Sequence, residues 1–134
     1  MKQFTSERQK IGEVGEKIAC MFLVKHNFKV IERNYTKKCG EIDIIAKKDN
    51  KLYFIEVKTV THETLNNVSC VTSNQINPEE NIHPAKLKRF FRTVELYLNF
   101  NDVSQETLFQ VDAIIVFLDQ KNKKAKIKVI ENIF

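Results

Sequence analysis

The sequence predicts an α/β domain, a central mixed β-sheet flanked by helices, and three observations carry that expectation. Two segments around Ile42 and Ile55 alternate β-branched and apolar residues with charges at period two, and Lys48-Asp49-Asn50-Lys51 between them supplies turn residues. Two other segments, after Ser6 and after Pro84, space their apolar residues as helices do. Leu108 to Leu118 is the most apolar run of the chain and has the length of a central strand.

Thr5 or Ser6 caps the first helix, with Gln9 in capping-box position relative to Ser6. Ile11, Ile18 and Phe22, with Val14 and Met21 beside them, form its apolar face, and Asn27 is its stop. Glu16 lies at the edge of that face near Ala19 and Leu23, one turn from Gly12, where small residues let a helix approach a sheet closely. A carboxylate there either makes a boundary salt bridge or reaches over the sheet. Phe28 to Tyr35 reads as a strand with Val30 inward, followed by a turn at Cys39-Gly40. The hairpin comes next, with Asp49 and Asn50 tolerating the left-handed backbone its turn needs.

Residues 61–82 change character, rich in Asn, Ser and Thr and weakly periodic, and read as a long polar loop. Pro84 opens the second helix at the position where proline is tolerated. Leu87, Phe90, Phe91, Val94 and Leu98 keep helical spacing and are expected in the core. Lys86, Lys88, Arg89 and Arg92 make this helix basic, and the first two sit in the opening turn, where cations oppose the helix dipole. Such a helix start fits phosphate contacts by Lys86, Lys88 and Arg89, against the commoner reading of a solvated face. Gln110 and Asp112 interrupt the apolar run, and Lys126 to Ile130 alternates like an edge strand with lysines outward.

At 134 residues the chain is expected to form one domain, residues 1–134, large enough to bury a core without staples. No apolar stretch approaches the ~20 residues of a membrane span, and the first residues lack the apolar run of a signal peptide. Cys20, Cys39 and Cys70 are odd in number and scattered, so they read as reduced thiols of a cytoplasmic protein rather than disulfides or zinc ligands. The formal charge of +5 fits a polyanionic partner, and equally a merely basic protein. With three glycines there is no phosphate-cradling Gly-rich loop.

The hairpin carries the chemistry. With Asp49 and Asn50 as its turn residues, Asp43 faces Glu56 and Glu41 faces Lys58. Directly opposed residues sit roughly 4.5–5.5 Å apart at Cβ, where like charges repel. Charged alternation often only keeps an edge strand soluble. Here Ile42, Ile44, Ile45, Phe54, Ile55 and Val57 make the strands apolar on nearly both faces, so the charges interrupt a buried sheet. Buried carboxylates without partners are costly, and a hard divalent cation between Asp43 and Glu56 is the natural compensation. Lys58, two residues beyond Glu56, lies on the same face, able to orient or activate a water.

The order of elements and the placement of the charges resemble the restriction-endonuclease-like fold of the PD-(D/E)xK nucleases: an acid on the second strand, then Glu-x-Lys on the third. More narrowly, the chain resembles the small bacterial YraN family, itself similar to Holliday junction resolvases. Gly12-x-x-Gly15-Glu16-x-x-Ala19-x-x-x-Leu23, Glu32-Arg33-Asn34-Tyr35, Gly40-Glu41-Ile42-Asp43-Ile44-Ile45-Ala46 and Phe54-Ile55-Glu56-Val57-Lys58-Thr59 carry the resemblance, with Phe109-x-Val111-Asp112 and Glu131-Asn132-Ile133-Phe134 at the end. It departs at Val60, where the family tends to carry Arg, and in the longer Asn-rich segment before Lys86.

The resemblance implies a nuclease-type site with Asp43 and Glu56 as metal ligands, assisted by the Val57 carbonyl. Lys58 would stand beside the attacking water, and Glu16 would complete the acidic cluster. The implied activity is Mg²⁺-dependent DNA hydrolysis, with Mn²⁺ as substitute, on branched DNA, by a homodimer if two symmetric cuts are made. The alternatives are a nucleic-acid-binding protein that keeps the site without cutting, and an interaction protein whose acids and lysines are structural.

Overall fold

The structure, a computed structural model, describes residues 6–61 and 84–133. Helix α1 spans Glu7–Lys25, followed by strands β1 (Lys29–Lys37), β2 (Gly40–Lys48) and β3 (Lys51–Thr61). Helix α2 (Pro84–Phe100), β4 (Leu108–Asp119) and β5 (Lys124–Ile130) complete the described elements. The expected loop at 61–82 lies outside the described residues except for Thr61, which is the last residue of β3. Cys70 lies outside them too, whereas Cys20 and Cys39 are free thiols. No helix among the described residues is long and apolar enough to cross a membrane.

The strands form one five-stranded sheet in chain order, β1-β2-β3-β4-β5. It is mixed: β3 and β4 run parallel and the other pairs antiparallel. This is an α/β fold consistent with a nuclease-like one. Chain direction explains the one parallel pair, because α2 intervenes between β3 and β4 and a crossover is what returns a strand parallel to its predecessor.

Local chemistry sets each boundary. Ser6 and Gln9 form the complete capping box, with Ser6 Oγ accepting from Gln9 N at 3.1 Å and Gln9 Oε1 accepting from Ser6 N at 3.0 Å. At the other end of α1, Asn27 takes a left-handed φ of 70°. Phe28 N then donates to Leu23 O and Asn27 N to Val24 O, the paired bonds of a Schellman stop. Asp49 and Asn50 both have positive φ, 50° and 65°, as a two-residue hairpin turn of this hand requires.

The helices cover opposite faces. On one face α1 packs Ala19 and Leu23 against Ile44, Ala46, Ile55, Ile114 and Val116. On the other, α2 packs Phe90, Val94 and Tyr97 against Ile42, Ile45, Leu52, Phe54 and Val111. Val60 is buried within the sheet, opposite Phe117.

Of the expected face of α1, Ile11, Ile18 and Phe22 pack against the core, partly buried, but the fully buried stripe is another one. Gly15, Ala19 and Leu23 are its buried residues, whereas Val14 is 47% and Met21 64% exposed. The cause is close approach: a Cβ on Gly15 would lie 1.8 Å from Thr59 Oγ1 of β3. The small residues face the sheet because only they let the helix axis come this near. A similar constraint acts on the other face, where a Cβ on Gly40 would meet Thr93 Oγ1 at 2.9 Å and the Arg89 carbonyl oxygen at 3.2 Å.

Candidate active site

The expected register holds from the turn outward: Lys48↔Lys51, Ala46↔Tyr53 and Ile44↔Ile55 are paired. It stops there. The predicted pairs Asp43 with Glu56 and Glu41 with Lys58 lie beyond the end of the β2–β3 ladder, because the two strands part company. Past Ile44, β2 keeps pairing with β1, through Tyr35↔Ile42 to Lys37↔Gly40. Past Ile55, β3 keeps pairing with β4, through Glu56↔Ala113 to Thr61↔Leu118. The sheet forks, and Asp43 sits in the crotch.

Asp43 also marks a kink. Ile44 and Ala46 belong to the α1-side core and Ile45 to the α2-side core, yet Ile42 joins the α2 side as well. The pleat alternation therefore slips at Asp43. On the neighbouring strand, Asn34, between the paired residues Arg33 and Tyr35, adopts a left-handed φ of 53°, a conformation Asn tolerates better than most residues. At the fork, a side chain replaces a ladder bond: Val57 N donates to Asp43 Oδ2 at 2.8 Å. Val57 thus meets the site through its N–H.

Asp43 and Glu56 line one cavity of about 190 Å³ at this fork, with Gly40 and Glu41 of β2 and Lys86, Arg89 and Phe90 of α2. The Asp43 carboxyl is pushed up to about 8, first by burial, then by the Glu56 carboxylate, with Glu16 adding to it and the Val57 N–H opposing. Two carboxylates this close do not both ionise at neutral pH, and Asp43 is the one that keeps its proton.

A cation already answers part of that charge: Lys86 Nζ lies 2.6 Å from Glu56 Oε1. Burial works against the Lys86 ammonium, but Glu56, helped by Asp43 and Glu41, holds its pKa above the usual lysine value. This also accounts for a lysine in the first turn of a helix, where no acid accompanies it.

The other expected residues stand further out. Glu16 approaches from α1 and pairs loosely with Arg33, at 4.0 Å. Its carboxyl is raised by burial, held back by Arg33 and Asn34, and raised further by Glu41 and Glu56. It is therefore both the boundary ion pair and a charge in the field of the fork. Lys58 is half-buried on β3 and lies outside the cavity lining, and among the described residues no carboxylate is within ion-pairing distance of it. Of the three basic candidates of α2, Lys86 and Arg89 line the cavity and exposed Lys88 does not. Glu41 lines it as well, a residue whose spacing of two from Asp43 was the available signal.

A larger cavity, about 460 Å³, opens beside the C-terminal end of α1 among Phe22, Phe28, Tyr53 and Asp112. Its buried acid is committed structurally. Asp112 Oδ1 accepts from Gln110 Nε2 at 2.8 Å and from Asn132 N at 3.0 Å, and Ile133 N donates to the Val111 carbonyl, so the chain end is clasped to β4. The smaller cavity is the one that holds the expected pair, Asp43 and Glu56.

The donor set at the fork suits a hard divalent cation. It offers carboxylate oxygens, and an ammonium stands where positive charge is wanted. Among the described residues no group of three or more His, Cys, Asp or Glu converges on one point. An ion here would have two side-chain carboxylates and complete its shell with water, as Mg²⁺ commonly does.

A family model described as "Uncharacterised protein family UPF0102" matches residues 15–116, a span that contains every residue of the fork. A UPF0102 protein of Campylobacter jejuni is 40% identical over 105 residues, 78% of this chain and 81% of the relative. A UPF0102 protein of Helicobacter pylori is 35% identical over 133 residues, covering 99% and 98%. Another, from Caldicellulosiruptor bescii, is 32% identical over 127 residues, covering 94% and 98%. Matched by this family model and by these relatives along most of its length, the chain belongs to the UPF0102 family, the YraN family.

Proposed function

We propose that the protein is a metal-dependent DNA endonuclease that hydrolyses phosphodiester bonds, with branched, four-way-junction-like DNA as its substrate. One observation carries the reading: two carboxylates from diverging strands meet in a cavity whose opposite wall, the start of α2, is cationic. A structural ion pair needs one acid, whereas this arrangement gathers two, close enough that Asp43 keeps a proton until the pH nears 8. In this reading Asp43 and Glu56 hold Mg²⁺, or Mn²⁺ in its place. Bound there, the ion supplies positive charge to the scissile phosphate and acidifies water.

The chain's own groups have separate tasks. The Val57 N–H fixes the Asp43 carboxylate, so the ligand is preorganised on a rigid strand. Lys58 reaches the nucleophile or the phosphate from the strand that carries Glu56. Glu16 adds negative charge from α1 and favours the cation. Arg89, with Lys88 outside the cavity, gives sequence-independent hold on the DNA backbone. One fork makes one cut, so paired cuts across a junction call for a homodimer with two-fold symmetry.

The test is cleavage of a labelled four-way junction and of a linear duplex in Mg²⁺, in Mn²⁺ and in EDTA. We expect junction cleavage that needs the metal and is lost in Asp43→Ala and Glu56→Ala. Light scattering with junction present should give the mass of a dimer. Salt-sensitive binding in the wild type with no cleavage in either metal would instead identify a nucleic-acid-binding protein that retains the site geometry.

A further inference from the structure

The contact between Lys86 and Glu56 has a consequence for how the site is loaded, resting on the reading that Asp43 and Glu56 take a divalent cation. Lys86 Nζ lies 2.6 Å from Glu56 Oε1, against a Glu56 side chain that is 12% exposed. The lysine side chain itself is 56% exposed, so the ammonium that meets this shielded carboxylate belongs to a side chain open to solvent. Lys86 belongs to the first turn of α2, where the helix end is electropositive and no acid neutralises it. Arg89, one turn on, lines the same cavity. The charged neighbours on α2 therefore repel a cation placed here, and the carboxylates at the fork are what hold it.

A divalent ion bound by Glu56 competes with the ammonium for this carboxylate. Mg²⁺ takes carboxylate oxygens at about 2.0–2.1 Å, and a doubly charged ion on this carboxylate repels an ammonium held 2.6 Å from it. The flexible stem of lysine gives the displaced charge somewhere to go, and the cavity mouth next to Arg89 is within its reach. There the two cations would face an anionic oxygen.

We propose that Lys86 is an exchangeable counter-ion. It neutralises Glu56 while the site is metal-free, is expelled when a divalent ion binds, and then joins Arg89 to hold a phosphate of the DNA. Metal and DNA binding are thereby coupled, each raising affinity for the other, as any such linkage must be reciprocal. The device also keeps a pair of carboxylates from repelling DNA before the metal arrives.

Three measurements on the full chain test it. In calorimetric titration with Mn²⁺, Lys86→Met should bind about tenfold more tightly than wild type, because no cation has to be expelled. In acetylation footprinting of the wild type, read by mass spectrometry, Lys86 should label faster relative to Lys88 once Mg²⁺ is added. Ca²⁺ should raise affinity for a junction more in wild type than in Lys86→Met, with circular dichroism verifying that the variant is folded. Mn²⁺ binding that is equal or weaker in Lys86→Met, with Lys86 labelling unchanged by Mg²⁺, overturns the exchange and leaves the metal site standing. Absence of Mn²⁺ binding in wild type and Lys86→Met alike defeats the metal site itself, and the exchange with it.

Discussion

Asp43 concentrates the tension in this molecule, and its stability should show it. Its folded-state pKa, about 8, lies well above the ~3.9 of an aspartate in an unfolded chain. Between those values the folded chain keeps a proton that the unfolded chain has released. Unfolding free energy therefore falls as pH rises through that window, and is flat below and above it. Asp43→Asn keeps an oxygen for the Val57 N–H and removes the charge. In EDTA at pH 8 we expect it to be more stable than wild type by about 1–3 kcal/mol, since relieving an uncompensated buried charge is worth that order. The gain should vanish near pH 4, and urea denaturation at the two pH values reads it. A variant that is weaker at both would mean that the ionised carboxylate is satisfied in the metal-free fold. The acid, its partner Glu56 and the nearby lysines were all legible from residue type and spacing. That Lys86 would sit on Glu56 was not, because they are far apart in sequence and belong to different elements.

At the scale of elements, α1 separates what periodicity reads from what packing decides. Its start was legible: Ser6 and Gln9 form the reciprocal cap that their spacing announces. Its face was legible in part: Ile11, Ile18 and Phe22 pack against the core, but a count of large apolar residues also gives weight to exposed Val14 and Met21 and none to Gly15. Contact with the sheet reverses that weighting, because Gly15 sits against Thr59. Two single substitutions expose the difference. Gly15→Ala should cost about 1–3 kcal/mol, the usual penalty of overpacking. Gly12→Ala, whose Cβ would meet nothing within 4 Å, should stabilise by roughly 0.8–1.0 kcal/mol through helix propensity. Thermal denaturation of both variants decides this, and equal effects of the same sign would show that α1 does not approach β3 closely. The hairpin turn was read from Asp49 and Asn50 alone, since positive φ is a local property of those two residues. In α2 the spacing revealed Phe90 and Val94, but buried Thr93 and Tyr97 escaped it. Both are amphipathic, and Thr93 is buried because its hydroxyl donates to the Arg89 carbonyl at 2.8 Å.

For the whole molecule, the charge of +5 is distributed so that cations of α2 surround an acidic notch. If the partner is DNA, affinity should fall steeply with salt, by about 0.9 in log affinity per log salt for each phosphate neutralised. Lys88→Ala, remote from the cavity lining, should lower that slope by about one and leave Mn²⁺ binding untouched. Fluorescence anisotropy across a salt series measures it. Affinity that is flat with salt would point to a partner other than nucleic acid.

The sequence by itself determined the α/β class, most element positions, the hairpin register near its turn and the identity of the acids, because each depends on neighbours a few residues away. It also carried the family through a run of motifs. Only the tertiary structure decided where the β2–β3 ladder ends and how the site is closed. The fork arises because β2 follows β1 while β3 follows β4, a competition among strands that no single hairpin contains. Once the strands part, the Val57 N–H turns to the Asp43 carboxylate and the space between them admits Lys86 of α2. Long-range pairing energies settle both outcomes, and these are properties of the assembled sheet rather than of any local segment.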